Sequence, residues 1–262
     1  MTSQTDQAAR FAALHKPGDP LLLPNAWDPA SAAIIAAAGA RAIATTSAGV
    51  AWSFGIPDAA DLGAARAAEA VARIRAVTDL PVSADIEAGY DDVAATVAAV
   101  VAAGAVGLNI EDRQHGVMLD AGAQADRLAA ARAAAGDVPI WINARTDVFL
   151  GGSADVGEVR ERAAAYASAG ADSVFVPGLA DPAAITGLVA ACPIPVAVMV
   201  WPGAPSVADL AAAGVARISL GSAIAQAAYA AADRAARELL TAGTYTAVAH
   251  GVPYHTLNAL FS

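Results

Sequence analysis

Apolar positions along the chain fall into two recurring patterns: long alanine-rich stretches of helical character, and short β-branched runs of strand length. One phrase joins them. A helical stretch closes on Ala-Gly and a strand follows: Ala38-Gly39 before Ala42-Ile43-Ala44, Ala103-Gly104 before Val106-Gly107-Leu108, Ala169-Gly170 before Ser173-Val174-Phe175-Val176, and Ala213-Gly214 before Ala216-Arg217-Ile218-Ser219-Leu220. Glycine just past a helix supplies the left-handed cap from which the chain leaves for the next strand. Between these units proline introduces the strands, at Leu80-Pro81-Val82, Val138-Pro139-Ile140-Trp141 and Ile194-Pro195-Val196. With Leu21-Leu22-Leu23 added, eight strands are predicted, near 21–25, 42–46, 81–86, 106–110, 138–143, 173–176, 194–200 and 216–220. Helices are predicted between and after them, near 28–38, 64–77, 91–103, 120–135, 155–169, 181–191, 206–213 and 222–241.

Eight such alternations in 262 residues match a single closed (β/α)8 barrel of the TIM type over 1–262. The rival, an open doubly wound sheet, usually has fewer strands. No Pro/Ser linker or charge run divides the chain. The tail, about 244–262, reads as an extra apolar helical segment that docks on something apolar, a partner subunit being one candidate.

A hydrophobic content of 57% and a mean hydropathy of +0.49 look membrane-like, but much of that count is alanine, a helix former first. Two long uncharged stretches have the length of a span. Val93 to Ile110 is broken by Gly104 and Gly107, and Ala183 to Ala208 carries Pro193, Pro195, Pro202 and Pro205, so no membrane insertion is expected. Met1 to Phe11 is polar and is not expected to be a signal peptide. The single cysteine, Cys192, excludes internal disulfides and agrees with a reducing, cytoplasmic setting. A net charge of −10 is the wrong sign for nucleic acid. An anionic substrate must then meet a local positive site.

Chemistry gathers where predicted strands end. Ser83-Ala84-Asp85-Ile86-Glu87-Ala88-Gly89-Tyr90, Asn109-Ile110-Glu111-Asp112 and Asn143-Ala144-Arg145-Thr146-Asp147 each place charge at a strand exit. In a barrel those exits share one rim, and alternation puts Asp85 and Glu87 on the same side. Converging carboxylates repel unless something positive lies between them, and hard oxygen ligands suit Mg2+. Capping of helices, or pairing with Arg145, is the structural alternative for any one of them. Thr45-Thr46-Ser47-Ala48-Gly49 opens the longest interruption, 47–63; its small residues leave backbone N–H groups free for an anion.

Thr46-Ser47-Ala48-Gly49-Val50-Ala51, Gly55-Ile56-Pro57-Asp58, Asp85-Ile86-Glu87-Ala88-Gly89-Tyr90, Ile110-Glu111-Asp112 and Ala144-Arg145-Thr146-Asp147, in this order, resemble the isocitrate lyase/phosphoenolpyruvate mutase superfamily. The resemblance runs from Pro24-Asn25-Ala26-Trp27-Asp28 to Leu220. It implies a Mg2+-dependent barrel (Mn2+ as a substitute) acting on small 2-oxo or 2-hydroxy acids through an enolate. It also implies homotetramers, dimers of dimers, whose last barrel helix swaps between neighbours. Carried over by residue, it makes Asp85 the direct metal ligand, with Asp58, Glu87 and Glu111 holding the metal's waters. Thr46, the backbone at Ser47 and Ala48, Asp58 and Arg145 would bind the substrate, with Arg145 and Glu111 in the catalytic set. The family often has aspartate where Glu87 stands.

The larger departure follows Glu111. Relatives with lyase activity carry a mobile Lys-Lys/Arg-Cys-Gly-His loop there; this chain has Asp112-Arg113-Gln114-His115-Gly116-Val117-Met118-Leu119-Asp120, with neither cysteine nor lysine. Cys192, before the seventh strand, is on the wrong rim. That argues against true isocitrate lyase activity and leaves His115 as the candidate acid/base of a shortened lid, an exposed loop histidine being the alternative. His15 is expected at the surface; His250 and His255 lack zinc spacing. Trp27 and Trp201 are expected to pack the barrel or wall the pocket, and Ser219-Leu220-Gly221-Ser222 to cap the last helix. The reading is a lyase cleaving a C–C bond of an oxaloacetate- or methylisocitrate-like acid. P–C chemistry on phosphonopyruvate is the alternative within enzymes, and a ligand-binding or structural barrel subunit the alternative outside them.

Overall fold

The structure is a computed structural model and describes residues 3–261; both ends of the predicted 1–262 span thus lie outside the described residues. In chain order its elements are α1 (Gln4–Ala13), β1 (Leu21–Leu23), β2 (Asn25–Ala26), α2 (Pro29–Ala37), β3 (Ile43–Thr45), α3 (Ser47–Ser53), α4 (Ala64–Arg75), β4 (Val82–Asp85) and α5 (Val93–Ala102). Then come β5 (Gly107–Glu111), β6 (Arg113–Gln114), β7 (Val117–Met118), α6 (Ala121–Ala134), β8 (Trp141–Arg145), α7 (Val156–Ser168), β9 (Ser173–Val176) and α8 (Pro182–Ala191). The chain finishes with β10 (Val196–Met199), α9 (Val207–Ala212), β11 (Arg217–Ser219), α10 (Ala223–Ala242), a 3-10 turn (Thr246–Val248) and α11 (Tyr254–Ala259).

Nine parallel strands form one sheet in the order β1-β11-β10-β9-β8-β5-β4-β3-β2. Its two end strands, β1 and β2, are consecutive segments on either side of Pro24; one pairs with β11 and the other with β3. Counted as one stave, they complete a barrel of eight, as the sequence pattern predicts. All eight predicted strands and the eight predicted helices are present. The fifth strand is displaced toward its C-terminus: it runs Trp141–Arg145 rather than 138–143, since Pro139 cannot donate to a ladder and Ile140 only leads in. The four glycines that close helices in the repeated phrase, Gly39, Gly104, Gly170 and Gly214, all have φ between 86° and 102°.

Strand alternation sorts side chains in an uncommon way for a barrel. Val82, Ala84, Ile86, Leu108, Ile110, Ile140, Ile142 and Ala144 face outward and pack under Val71, Ile74, Val97, Val100, Leu128 and Tyr166 of the surrounding helices. The opposite parity, Ser83 and Asp85, Asn109 and Glu111, Trp141, Asn143 and Arg145, faces inward. The register sets these residues side by side: Asp85 opposite Asn109, Asn109 opposite Asn143, Glu111 opposite Arg145. Inside runs a chain of polar contacts. Arg217 Nη2 and Asn143 Nδ2 both donate to Asn109 Oδ1 (3.0 and 2.9 Å), Ser173 Oγ donates to Asn143 Oδ1 (2.6 Å), and Trp141 Nε1 donates to Ser173 Oγ (2.8 Å). Asn109, Asn143, Ser173 and Trp141 bond one another along this line, while Arg217 Nε and Nη1 stay buried without a partner.

The lower end of the barrel is closed by α1, which the polar reading of 1–11 missed. Ser3 and Asp6 form a capping box at its start, and Phe11 is fully buried. His15 is a correction. Instead of lying at the surface it is 6% exposed, stacked on Trp141 with ring centroids 4.1 Å apart and edge-on to Phe11. Its Nδ1 meets the Phe11 carbonyl at 2.9 Å. Desolvation, with Arg217 nearby, lowers its pKa to about 3.

At the other end, α10 leaves the barrel. Only Ala225 of its twenty residues is buried, and Leu239, Leu240, Tyr245, Tyr254 and Phe261 stand exposed on it and the tail. The tail is helical only over the 3-10 turn and α11, and its last residue lies outside the described set. Ser222 occupies the N-cap position of α10 but makes no side-chain cap bond. Trp201 is exposed, while Trp27 packs against the barrel core. Among the described residues no helix is long and apolar enough to cross a membrane.

Candidate active site

Three strand exits meet at the C-terminal rim. β4 ends on Asp85 and turns sharply through Glu87, whose φ is 51°, and Tyr90, whose φ is 54°. β5 ends on Glu111 and β8 on Arg145, and their register makes the two direct neighbours. Arg145 Nη1 bonds Glu111 Oε2 at 2.8 Å, while Nε and Nη2 grip Asp147 Oδ1 and Oδ2 at 2.6 and 2.9 Å. A guanidinium has five N–H donors, so two remain. Burial works against the charge of Arg145, but Glu111 and Asp147 more than offset it and hold the group above the ordinary arginine range.

Asp85 faces α3. Its Oδ2 accepts from Ser47 Oγ at 3.3 Å and from the Ser47 N–H at 3.5 Å, and its own N–H donates to Thr45 Oγ1 at 2.8 Å. The expected open loop after Thr45 is thus a short helix, with Thr46 at its N-cap and Ser47 and Ala48 in its first turn, where backbone N–H groups have no intrahelical acceptor. All three are buried. Gly49 permits this packing, since a Cβ there would lie 2.8 Å from both Thr46 Cγ2 and Trp27 Cβ.

The rim carboxylates are poorly solvated and repel one another. Desolvation, opposed by Arg145, raises the pKa of Asp85. Desolvation and then Asp85 and Asp58 raise Glu87 to about 7; desolvation, only partly opposed by Arg145, raises Glu111 to about 8. Asp58 itself is exposed and reaches the cluster only through its charge.

Beside them is a pocket of about 320 Å3, lined by Glu87, Tyr90, Glu111, Arg113 and His115 among others. These last two belong to a hairpin, β6–β7, turned by His115 (φ 50°) and Gly116 (φ 79°). The chain's four non-glycine residues of positive φ among those described, Ala59, Glu87, Tyr90 and His115, all line this pocket. Strained backbone gathers where a site constrains it. His115 is exposed at the hairpin tip. Arg127 on α6 ties the hairpin down, donating to Gln114 Oε1 and to the Ala88 carbonyl.

One residue of the site was read only as part of a run. Asp112 is 0% exposed and accepts from Arg162 Nη1 (3.1 Å), Tyr166 OH (2.7 Å) and the Asp147 N–H (2.9 Å). It fixes the backbone of Asp147, which in turn orients Arg145. Its partners on α7 lie some fifty positions away, so adjacent sequence carries no sign of them.

Among the described residues no three His, Cys, Asp or Glu side chains are gathered to ligate one ion together. A hydrated Mg2+ does not require that; it takes one or two carboxylates and keeps its remaining waters. The donors here fit such an ion. All are hard oxygens, desolvation first and neighbouring carboxylates second hold Glu87 and Glu111 at elevated pKa, and Glu87 Oε1 is buried with no hydrogen-bond partner.

A family model described as phosphoenolpyruvate phosphomutase matches residues 11–240. An uncharacterized protein of Mycobacterium tuberculosis strain H37Rv is 39% identical over 252 residues, 95% of each chain. The 2-methylisocitrate lyase of Escherichia coli K12 is 33% identical over 202 residues, 67% of this chain and 64% of that protein. A phosphonopyruvate hydrolase, solved in complex with oxalate and Mg2+, superposes with a TM-score of 0.85 over 97% of this chain and 94% of its own; at 24% identity this likeness is one of fold.

Proposed function

The chain belongs to the phosphoenolpyruvate phosphomutase family, and on that premise we propose that it is a Mg2+-dependent lyase. The proposed reaction cleaves a C–C bond of a small 2-oxo or 2-hydroxy di- or tricarboxylate, oxaloacetate- or methylisocitrate-like, through an enolate. The observation that carries this is the Glu111–Arg145–Asp147 clamp at the rim, beside Asp85 and Glu87, with Glu87 and Glu111 lining the adjoining pocket.

Asp85 would hold the metal directly, and Glu87, Glu111 and Asp58 its waters. When bound, Mg2+ supplies positive charge for the oxygen that becomes the enolate oxygen. Arg145, kept charged and oriented by Glu111 and Asp147, offers its remaining donors to the same oxygen or to the adjoining carboxylate. Thr46 and the backbone of Ser47 and Ala48 would seat that carboxylate. Tyr90 and the hairpin restrict water, and His115 is assigned the proton delivered to the enolate carbon after bond scission. The barrel would be one catalytic domain in the cytoplasm, with α10 and the tail laid on neighbouring copies in a homotetramer; their exposed leucines and tyrosines support that assembly.

P–C chemistry on phosphonopyruvate is the second reading, favoured by the family model's own description. The two separate in one assay: oxaloacetate and phosphonopyruvate, each with and without Mg2+, followed for pyruvate and phosphate. Mg2+-dependent pyruvate from oxaloacetate supports the C–C reading. Phosphate from phosphonopyruvate, with oxaloacetate untouched, overturns it.

A further inference from the structure

The pocket's charged lining is acidic but for one residue. Asp61, Glu87, Asp91 and Glu111 line it, together with Arg113 on β6. Arg113 is the one lining residue with a permanent positive charge. Among the described residues its guanidinium has no hydrogen-bond or ion-pair partner, and its Nε is buried without one. A buried donor left unpaired is costly, so a group in this state is suited to an acceptor brought by a ligand.

The fold makes room for it there. A Cβ on Gly151, in the loop after β8, would come within 3.0 Å of Arg113 Nη2 and 3.1 Å of the Asp147 carbonyl. The guanidinium is thus seated against the segment that carries the Asp147 clamp, and the same residue lines the pocket that Glu87 and Glu111 line. Arg145 cannot serve both ends of a substrate, because three of its N–H donors are engaged by Glu111 and Asp147. A dianion entering a protein of net charge −10 needs a cation at each end.

We propose that Arg113 receives a second carboxylate at the far end of the substrate from its 2-oxo or 2-hydroxy acid head, making the site selective for acids with two charged ends. This rests on the lyase reading for the position of the head. The planar fork of arginine pairs with a carboxylate through two parallel N–H donors, which gives direction as well as charge. Arg113 is therefore a specificity determinant of this chain, standing where its relatives' lyase loop begins.

The test uses two acids that differ only at the far end, 2-oxoglutarate and 2-oxovalerate, with oxalate as a probe of the head alone. Binding to the whole protein is measured calorimetrically in excess Mg2+. The wild type should bind 2-oxoglutarate roughly tenfold to a hundredfold more tightly than 2-oxovalerate. Arg113→Gln should erase that preference while leaving oxalate and 2-oxovalerate as before, and Arg113→Lys should restore part of it. An unchanged preference in Arg113→Gln overturns the assignment. So does an equal loss for all three ligands, which would mark Arg113 as structural. If the wild type binds none of them, oxalate included, the head site fails and the inference falls with it; if oxalate binds without any preference between the two acids, only the inference falls.

Discussion

Acidification should destabilise this protein through His15, and the size of the effect follows from its surroundings. The ring is wedged between Trp141 and Phe11 at the closed end of the barrel, near the buried Arg217 cation, and its Nε2 has no partner. Burial first, then Arg217, lower its pKa from 6.5 to about 3, so the folded protein keeps it neutral where the unfolded chain protonates it. A group of depressed pKa contributes stability that is present above its unfolded value and lost as pH falls toward the folded one. At pH 5 the unfolded chain gains about 2 kcal/mol from protonating this one residue. For a chain of this length that is a drop in Tm of roughly 4–8 °C. Glu87 and Glu111 act in the opposite sense, since their raised pKa values favour the folded state at low pH and that stability is lost as pH rises through about 7 and 8. The wild-type curve therefore mixes both signs. The assay is thermal melting at pH 7 and pH 5 of the wild type and of His15→Gln, which can still donate to the Phe11 carbonyl but does not titrate. The wild type should lose about 2 kcal/mol more than the variant over that interval. Equal losses would refute the buried, neutral histidine.

Asp112→Ala should cost about 3–5 kcal/mol, because it strips the partner from a buried Arg162 and frees Tyr166 OH, with melting temperature as the readout. It should also lower turnover by unseating Asp147, whereas Asp112→Asn, which keeps an acceptor for the Asp147 N–H, should lose less of both; equal turnover in the two variants would contradict that role. Mg2+ affinity should rise between pH 6 and pH 8, by up to about tenfold per unit for each proton displaced, since protons on Glu87 and Glu111 compete with the ion. Calorimetry in buffers of different ionisation enthalpy should register proton release, and pH-independent binding would count against these carboxylates as metal-facing groups.

The fold was legible because its repeat is local. An alanine helix, a glycine cap and a β-branched strand recur within a few residues of each other, and each unit states its own geometry. What escaped was either short or set by distant partners. α3 hides in a glycine- and serine-rich stretch, and the β6–β7 hairpin in two pairs of residues around His115-Gly116. α1 carried a sign that could have been read: Ser3 and Asp6 at capping-box spacing, then Phe11 and Leu14 one helical turn apart. His15 was misplaced because nothing next to it in sequence says that Trp141 lies beneath it. Nor does the sequence around Arg217 say where its side chain goes. A lone arginine between Ala216 and Ile218 looks like the polar face of a strand, yet it is 1% exposed in the barrel interior. At the site, Asp85, Glu87, Glu111 and Arg145 could be expected on one rim because each stands at a strand exit of a barrel. That Arg145 would be clamped by Asp147, and Asp147 by Asp112, depends on α7 and on a register that only the folded sheet fixes.

The central claim is that Asp85 anchors a metal on which substrate binding and turnover depend. Asp85→Ala, compared with the wild type by melting and by Mg2+-dependent oxalate binding in the same preparation, tests it most directly. The account predicts an intact melting transition, no Mg2+-dependent oxalate binding and no turnover of oxaloacetate. Oxalate binding and turnover that survive the substitution, at unchanged Mg2+ dependence, would contradict it.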